Sequence, residues 1–260
     1  MDIISSRQNK RVRYIKSLQT KPRFRRSERK LILEGDRLIA DALSSRGKPD
    51  LVLYLPGRAD YEIIAKLQGR NCELQPVSEA VLQHLSDTQQ APGILAAFQL
   101  PRPPLPQRAE RVLILDAVRE PGNLGTILRT AGAAGVDLAI LAPNCVDPYN
   151  SKAVRAGMGA HFRLPIVESN WTEIGAFCRD LSVYVAMPDA STQHTEVNWL
   201  ETWALILGSE AQGISKTALK LARRQISIPM TGATESLNVA SAAAVILFEA
   251  QRQRLASAKR

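Results

Sequence analysis

Five polar residues, Asn123, Arg129, Glu210, Ser236 and Asn238, stand in stretches otherwise rich in glycine and small or apolar residues. The first two lie in EPGNLGTILRTAGAAGVD (120–137), Glu210 in LGSEAQGIS (207–215), and Ser236 and Asn238 in IPMTGATESLNVAS (228–241). The chemistry open to such an arginine is narrow. A guanidinium keeps its proton to above pH ~12, so it suits stabilising a developing anion or pinning a phosphate better than accepting a proton. Glu210 is the carboxylate of the set that could offset that charge. Each residue also has a plain structural role open to it. Gly122 and Gly125 can form a tight turn with Asn123 capping the helix that starts there. Gly208 and Gly213 can be turn residues with Glu210 exposed, and Ser236 or Asn238 can cap the last helix.

A glycine-rich turn that opens a helix commonly holds phosphate. The motifs for that task are missing here. There is no G-x-x-x-x-G-K-[ST], no G-x-G-x-x-G after a strand and no G-x-S-x-G elbow; GMG (157–159) lacks the third glycine and the preceding strand. These absences argue against a phosphate-dense cofactor. Cys72, Cys145 and Cys178 lie far apart without a C-x-x-C pair, and His84, His161 and His194 have no metal-ligand spacing. No metal site is expected, and so sparse a set of cysteines suits a reducing compartment.

The elements that must position the five residues follow from the apolar runs. RVLILDAV (111–118), VDLAILAP (136–143), FRLPIV (162–167), LSVYVAM (181–187), TWALILG (202–208) and QISIPM (225–230) are nearly continuous and short. Such runs indicate strands buried on both faces, hence a largely parallel sheet covered by helices. NVASAAAVILFEAQRQRL (238–255) reads as a long closing helix. The three polar stretches then fall at strand ends, where ligands bind in doubly wound sheets.

Upstream, LILEG (31–35), DLVLYL (50–55), CELQPV (72–77) and GILAAFQL (93–100) read as strands separated by helices over 35–47, 59–69 and 78–87. LPRPPLPQRAE (100–110) carries four prolines, which remove backbone donors and fix φ, so it marks a boundary. The expected organisation is an N-terminal domain over 1–99, a linker over 100–110 and a second domain over 111–260.

At 260 residues, with 45% hydrophobic and 23% charged residues, the composition is that of a globular protein. No apolar run reaches the ~18 residues of a membrane span, so a soluble protein is expected. The net charge of +9 resides in residues 1–30, which hold eleven lysines and arginines against Asp2 and Glu28. A polyanion is the natural partner of such a segment, because neutralising phosphates releases counterions. Arg7, Lys10, Arg11, Arg13, Arg23, Arg25 and Arg26 are its candidate nucleic-acid contacts. A solvated arm and a transit peptide are the competing readings. Val12, Ile15 and Leu18 space like one helical face, which weighs against the last.

Taken together, N-x-x-x-x-x-R-T in NLGTILRT (123–130), G-x-E-x-x-G in GSEAQG (208–213), and I-P-M followed by S-L-N-V in IPMTGATESLNV (228–239) resemble the SpoU (TrmH-like) group of SPOUT RNA ribose 2′-O-methyltransferases. The likeness runs over roughly residues 111 to 255, and SRQNKRVRYIKSL with the LILEGDRLIADAL run is similar to the group's ribosomal-protein-like substrate-binding domain. The resemblance implies an α/β fold: a SPOUT domain with a parallel sheet and a C-terminal trefoil knot, acting as a homodimer; the sparse cysteines separately lead to an expected cytoplasmic location. It implies S-adenosylmethionine held by Leu207, Gly208, Gly213, Ile228, Met230 and Leu237, with catalysis by Arg129 supported by Asn123, Glu210, Ser236 and Asn238. The group is described as using this arginine as a base; its chemistry favours a cation that steadies the alkoxide. Ribosomal RNA of the 23S type is the expected substrate. A transfer-RNA ribose methyltransferase and a non-catalytic RNA-binding or ribosome-assembly protein are the alternatives.

Overall fold

The computed structural model describes residues 2–86, 88–209, 213–232 and 235–258. The chain divides into two compact units, Met1–Arg102 with Tyr149–Phe162, and Pro103–Pro148 with Arg163–Arg260. Residues 149–162, expected in the second domain, thus pack with the first unit. The reason is apolar: Val154 and Phe162 are buried among Leu31, Leu33 and Phe98 of that unit, and Tyr149 packs against the same cluster.

The first unit opens with α1 (Lys10–Thr20) and α2 (Pro22–Glu28). A four-stranded sheet follows in the order β1 (Lys30–Glu34), β4 (Ile94–Gln99), β2 (Pro49–Tyr54), β3 (Glu73–Pro76), with β4 antiparallel to both neighbours. Its helices are α3 (Asp36–Ser44), α4 (Tyr61–Gln68), α5 (Glu79–Leu85) and, from the later segment, α7 (Ser151–Gly157).

The basic N-terminal segment is no loose arm. Val12, Ile15 and Leu18 of α1 are fully buried, and each large aliphatic side chain so placed stabilises the unit by roughly 1.5–3 kcal/mol. Arg25, expected to meet RNA, is only 2% exposed. It turns inward and donates to the carbonyl oxygens of Leu18 and Gln19 at the end of α1. Those last-turn carbonyls have no helical donors of their own, so a guanidinium buried there is structural. Arg7, Lys10, Arg11, Arg13, Arg23 and Arg26 do face outward, Arg11 in an ion pair with Glu73.

The second unit is a seven-stranded sheet in the order β7 (Ile166–Glu168), β6 (Leu138–Leu141), β5 (Arg111–Asp116), β10 (Trp203–Gly208), β8 (Ser182–Ala186), β11 (Arg224–Ser227), β9 (Thr192–Gln193). Every recorded pairing is parallel. Leu113 and Leu205 are fully buried on one face, Ile114 and Ile206 on the other, as expected of strands covered on both sides. The run at 162–167 is only partly strand. Ala160–Phe162 forms a 3-10 turn, and pairing begins at Ile166, after Pro165.

Helices α6 (Pro121–Ala134), α8 (Trp171–Phe177), α9 (Lys216–Leu221) and α10 (Val239–Ser257) complete this unit. α6 and α10 run side by side in the same direction. Asn238 meets Asn123 at their starts, and Gln251 donates to the Ala133 carbonyl at 3.2 Å near their ends.

Candidate functional site

Glycines 122 and 125 form no loop; they lie within α6. Pro121 supplies a φ already suited to the first helical position. The cap open to Asn123 is made instead by Glu120, whose Oε2 accepts from the Asn123 backbone N at 2.6 Å. Gly122 makes room for it, since a Cβ there would lie 2.8 Å from the same oxygen. The Asn123 side chain is therefore not spent on the cap. Its Oδ1 accepts from Asn238 Nδ2 at 3.3 Å. Asn238 is the N-cap of α10, with its Oδ1 accepting from Ala240 N at 2.9 Å and Ser241 N at 3.4 Å.

β10 ends at Gly208 with no space for a side chain. A Cβ would stand 2.5 Å from the Gly213 carbonyl oxygen and 2.6 Å from Cδ1 of Ile214. Ser209 and Gly213 exchange both backbone hydrogen bonds, at 3.1 and 2.8 Å, and Gly213 takes a left-handed φ of +63° that glycine adopts without strain. Asp116, paired with Gly208 in the sheet and 3% exposed, accepts from Ser215 N at 2.7 Å. Ser215 in turn caps α9 through Ala218 N. The buried carboxylate thus ties the end of β5 to the segment that leaves β10.

Because β10, β8 and β11 are adjacent and parallel, their carboxyl ends lie together although they fall near residues 208, 186 and 227. Beside them lies a half-open cavity of about 260 Å³, just below the ~300–1,000 Å³ of small-molecule sites. Leu207, Gly208, Gly213, Ile228, Met230 and Leu237, the six residues expected to hold a cofactor, all line it, as does Ser236. Ala186, Met187 and Pro188 line it too. Sequence reading passed over these three, although the end of the LSVYVAM run carried the same strand-end signal.

Arg129 is exposed on α6 and, with Asn123 and Asn238, is not part of the cavity wall. Asn123 and Arg129 are six residues apart, about 9 Å along the helix axis. Glu210, expected to offset Arg129, lies outside the described residues. Cys145 is no nucleophile: burial pushes its thiol up to about 11, so it stays protonated near neutrality.

The walls suit a nucleoside bearing a thioether or sulfonium chain. Ile228 and Leu237 offer apolar surface for a purine, while the space beside the Gly208 Cα is taken by the Gly213 carbonyl and Ile214.

Residues 110–248 match the model described as the SpoU rRNA Methylase family, and residues 9–96 match one described as an MRM3-like substrate binding domain. The chain is 33% identical over 253 residues to the 23S rRNA (guanosine(2553)-2'-O)-methyltransferase RlmP of Bacillus subtilis (strain 168), with 95% of this chain and 98% of the relative covered. An AdoMet-bound rRNA methyltransferase from Sinorhizobium meliloti superposes with a TM-score of 0.85 at 31% identity, over 96% of this chain and 97% of that one. The SpoU methyltransferase AviRb from Streptomyces viridochromogenes, in complex with AdoMet, gives 0.85 at 26% identity over 95% and 99%.

Proposed function

The chain belongs to the SpoU rRNA Methylase family, and from that premise we propose that it transfers a methyl group from S-adenosylmethionine to a ribose 2′-hydroxyl of ribosomal RNA of the 23S type. The observation that carries this reading is the meeting of Leu207, Gly208 and Gly213 with Ile228, Met230 and Leu237 on one cavity. S-adenosylmethionine, when bound, supplies an electrophilic methyl group on a sulfonium. Gly208 and Gly213 would hold it through their backbone, and Ile228 and Leu237 would offer apolar surface to its purine. Asn123, fixed by Asn238, and Ser236 position the sugar. Arg129 stays cationic, steadies the alkoxide as the hydroxyl proton leaves to phosphate or water, and pins the neighbouring phosphate. Glu210 offsets its charge.

The proposal includes the trefoil knot and the homodimer. The knot is supported by the chain's course: it leaves the sheet at β11, beyond β8, and returns to lay α10 on α6 and against β10. The dimer is supported by Val245 and Phe248, one turn apart on α10 and 39% and 47% exposed. The first unit binds RNA through its outward cations. We place the protein in the cytoplasm, where its free cysteines are kept reduced.

Labelled S-adenosylmethionine incubated with the protein and separate pools of ribosomal and transfer RNA tests the reading. Label is expected in ribosomal RNA, at a position that blocks primer extension at low nucleotide concentration. Label confined to transfer RNA would favour the alternative enzyme, and cofactor binding without transfer would favour a scaffold. Arg129→Ala is expected to lower turnover by roughly 10²–10³-fold while cofactor affinity holds within about twofold; equal loss of both would make Arg129 structural.

A further inference from the structure

Among the described residues that line the cavity, one is charged. Glu235 stands at an exposed position on the wall, next to Ser236 and Leu237, and the other described lining residues are neutral and mostly aliphatic. The carboxylate lies outside the residues expected from sequence to hold the cofactor or to take part in the methyl transfer.

The two ligands that the cavity must exchange in each turnover differ in charge. Near neutrality the amino-acid end of either is a zwitterion whose charges nearly cancel beyond short range. The methyl donor keeps one net positive charge at its sulfonium. The demethylated product is a neutral thioether. A single carboxylate on an apolar wall therefore distinguishes the two by Coulomb attraction alone, and low-dielectric walls strengthen the effect.

We infer that Glu235 is a specificity residue: it favours the sulfonium-bearing donor over the neutral product, so that donor outcompetes product for the cavity after each transfer. The inference rests on the cavity being the cofactor site. Its consequence is kinetic as well as thermodynamic, because product retained in the cavity competes with the next donor.

Isothermal titration of the full-length protein with S-adenosylmethionine, S-adenosylhomocysteine and sinefungin, whose amine replaces the sulfonium, tests it. Glu235→Gln is expected to weaken the donor and sinefungin about tenfold while S-adenosylhomocysteine changes by less than about twofold. Glu235→Asp, which keeps the charge, is expected to restore most of the donor's affinity. Donor binding by the wild type is expected to weaken with added salt, and that dependence is expected to shrink in Glu235→Gln. Parallel weakening of all three ligands would show that Glu235 grips a shared group, and an unchanged donor affinity would show that it grips none; either overturns the inference and leaves the cavity assignment standing. Failure of the wild type to bind any of the three overturns both.

Discussion

Asn238 performs two tasks with one amide. Its oxygen caps α10 and its nitrogen donates to Asn123, 115 residues away in sequence. The two tasks separate by substitution. Serine caps a helix about as well as asparagine but is too short to reach Asn123, whereas alanine does neither. Asn238→Ala is expected to cost about 1 kcal/mol of stability, read from urea denaturation, and Asn238→Ser only a few tenths. Both are expected to lower turnover by roughly ten- to a hundredfold, since the pair proposed to position the sugar is broken in each. Full activity in Asn238→Ser would confine Asn238 to capping. The cap of α6 falls to neither asparagine. Asn123 is a favoured capping type, but the helix begins at Pro121, and Glu120, the residue before that proline, has the side chain that reaches forward to the Asn123 N–H.

α10 shows how an element is held by contacts its own pattern does not advertise. Glu249 accepts from Arg252 at 2.7 and 2.8 Å and from Gln253 Nε2 at 2.8 Å. Gln253 also donates to the Val197 carbonyl at 3.0 Å and accepts from Trp199 N at 3.0 Å, which anchors the helix to the segment after β9. The Arg252 hydrogen bond holds the Glu249 carboxyl at about 2, below its ordinary 4.5. A depressed carboxyl contributes stability that is complete above the unfolded value and is lost as pH falls through the folded one. Between pH ~5 and ~2 the wild type is therefore expected to lose more thermal stability than Glu249→Gln, measured by circular dichroism melts. Parallel melting curves for the two would remove Glu249 from the account.

For the protein as a body, the uneven charge is the feature with the widest consequence. Deleting residues 1–30 is a poor test of it, because Val12, Ile15 and Leu18 belong to the core of the first unit. Reversing exposed charges is the sound one. Lys10→Glu, Arg13→Glu, Arg23→Glu and Arg26→Glu together are expected to leave donor affinity unchanged and to weaken ribosomal RNA binding. The slope of log affinity against log salt is expected to flatten by roughly 0.7–0.9 for each phosphate that the protein no longer neutralises. An unaltered slope would show that RNA is held elsewhere.

Local rules reached far into this molecule. Nearly continuous apolar runs identified most of the buried strands, and two of the three glycine-bearing stretches supplied residues of one cavity, because each depends on neighbours close in the chain. Partnership between distant segments was beyond them. That β4 lies antiparallel between β1 and β2, that residues 149–162 join the first unit, and that Ala186, Met187 and Pro188 complete the cavity all follow from strand order and from which apolar faces find each other. Arg25 is the clearest case. Its sequence neighbourhood is that of a surface cation, and only the arrival of the unsatisfied carbonyls at the end of α1 turns it into part of the interior.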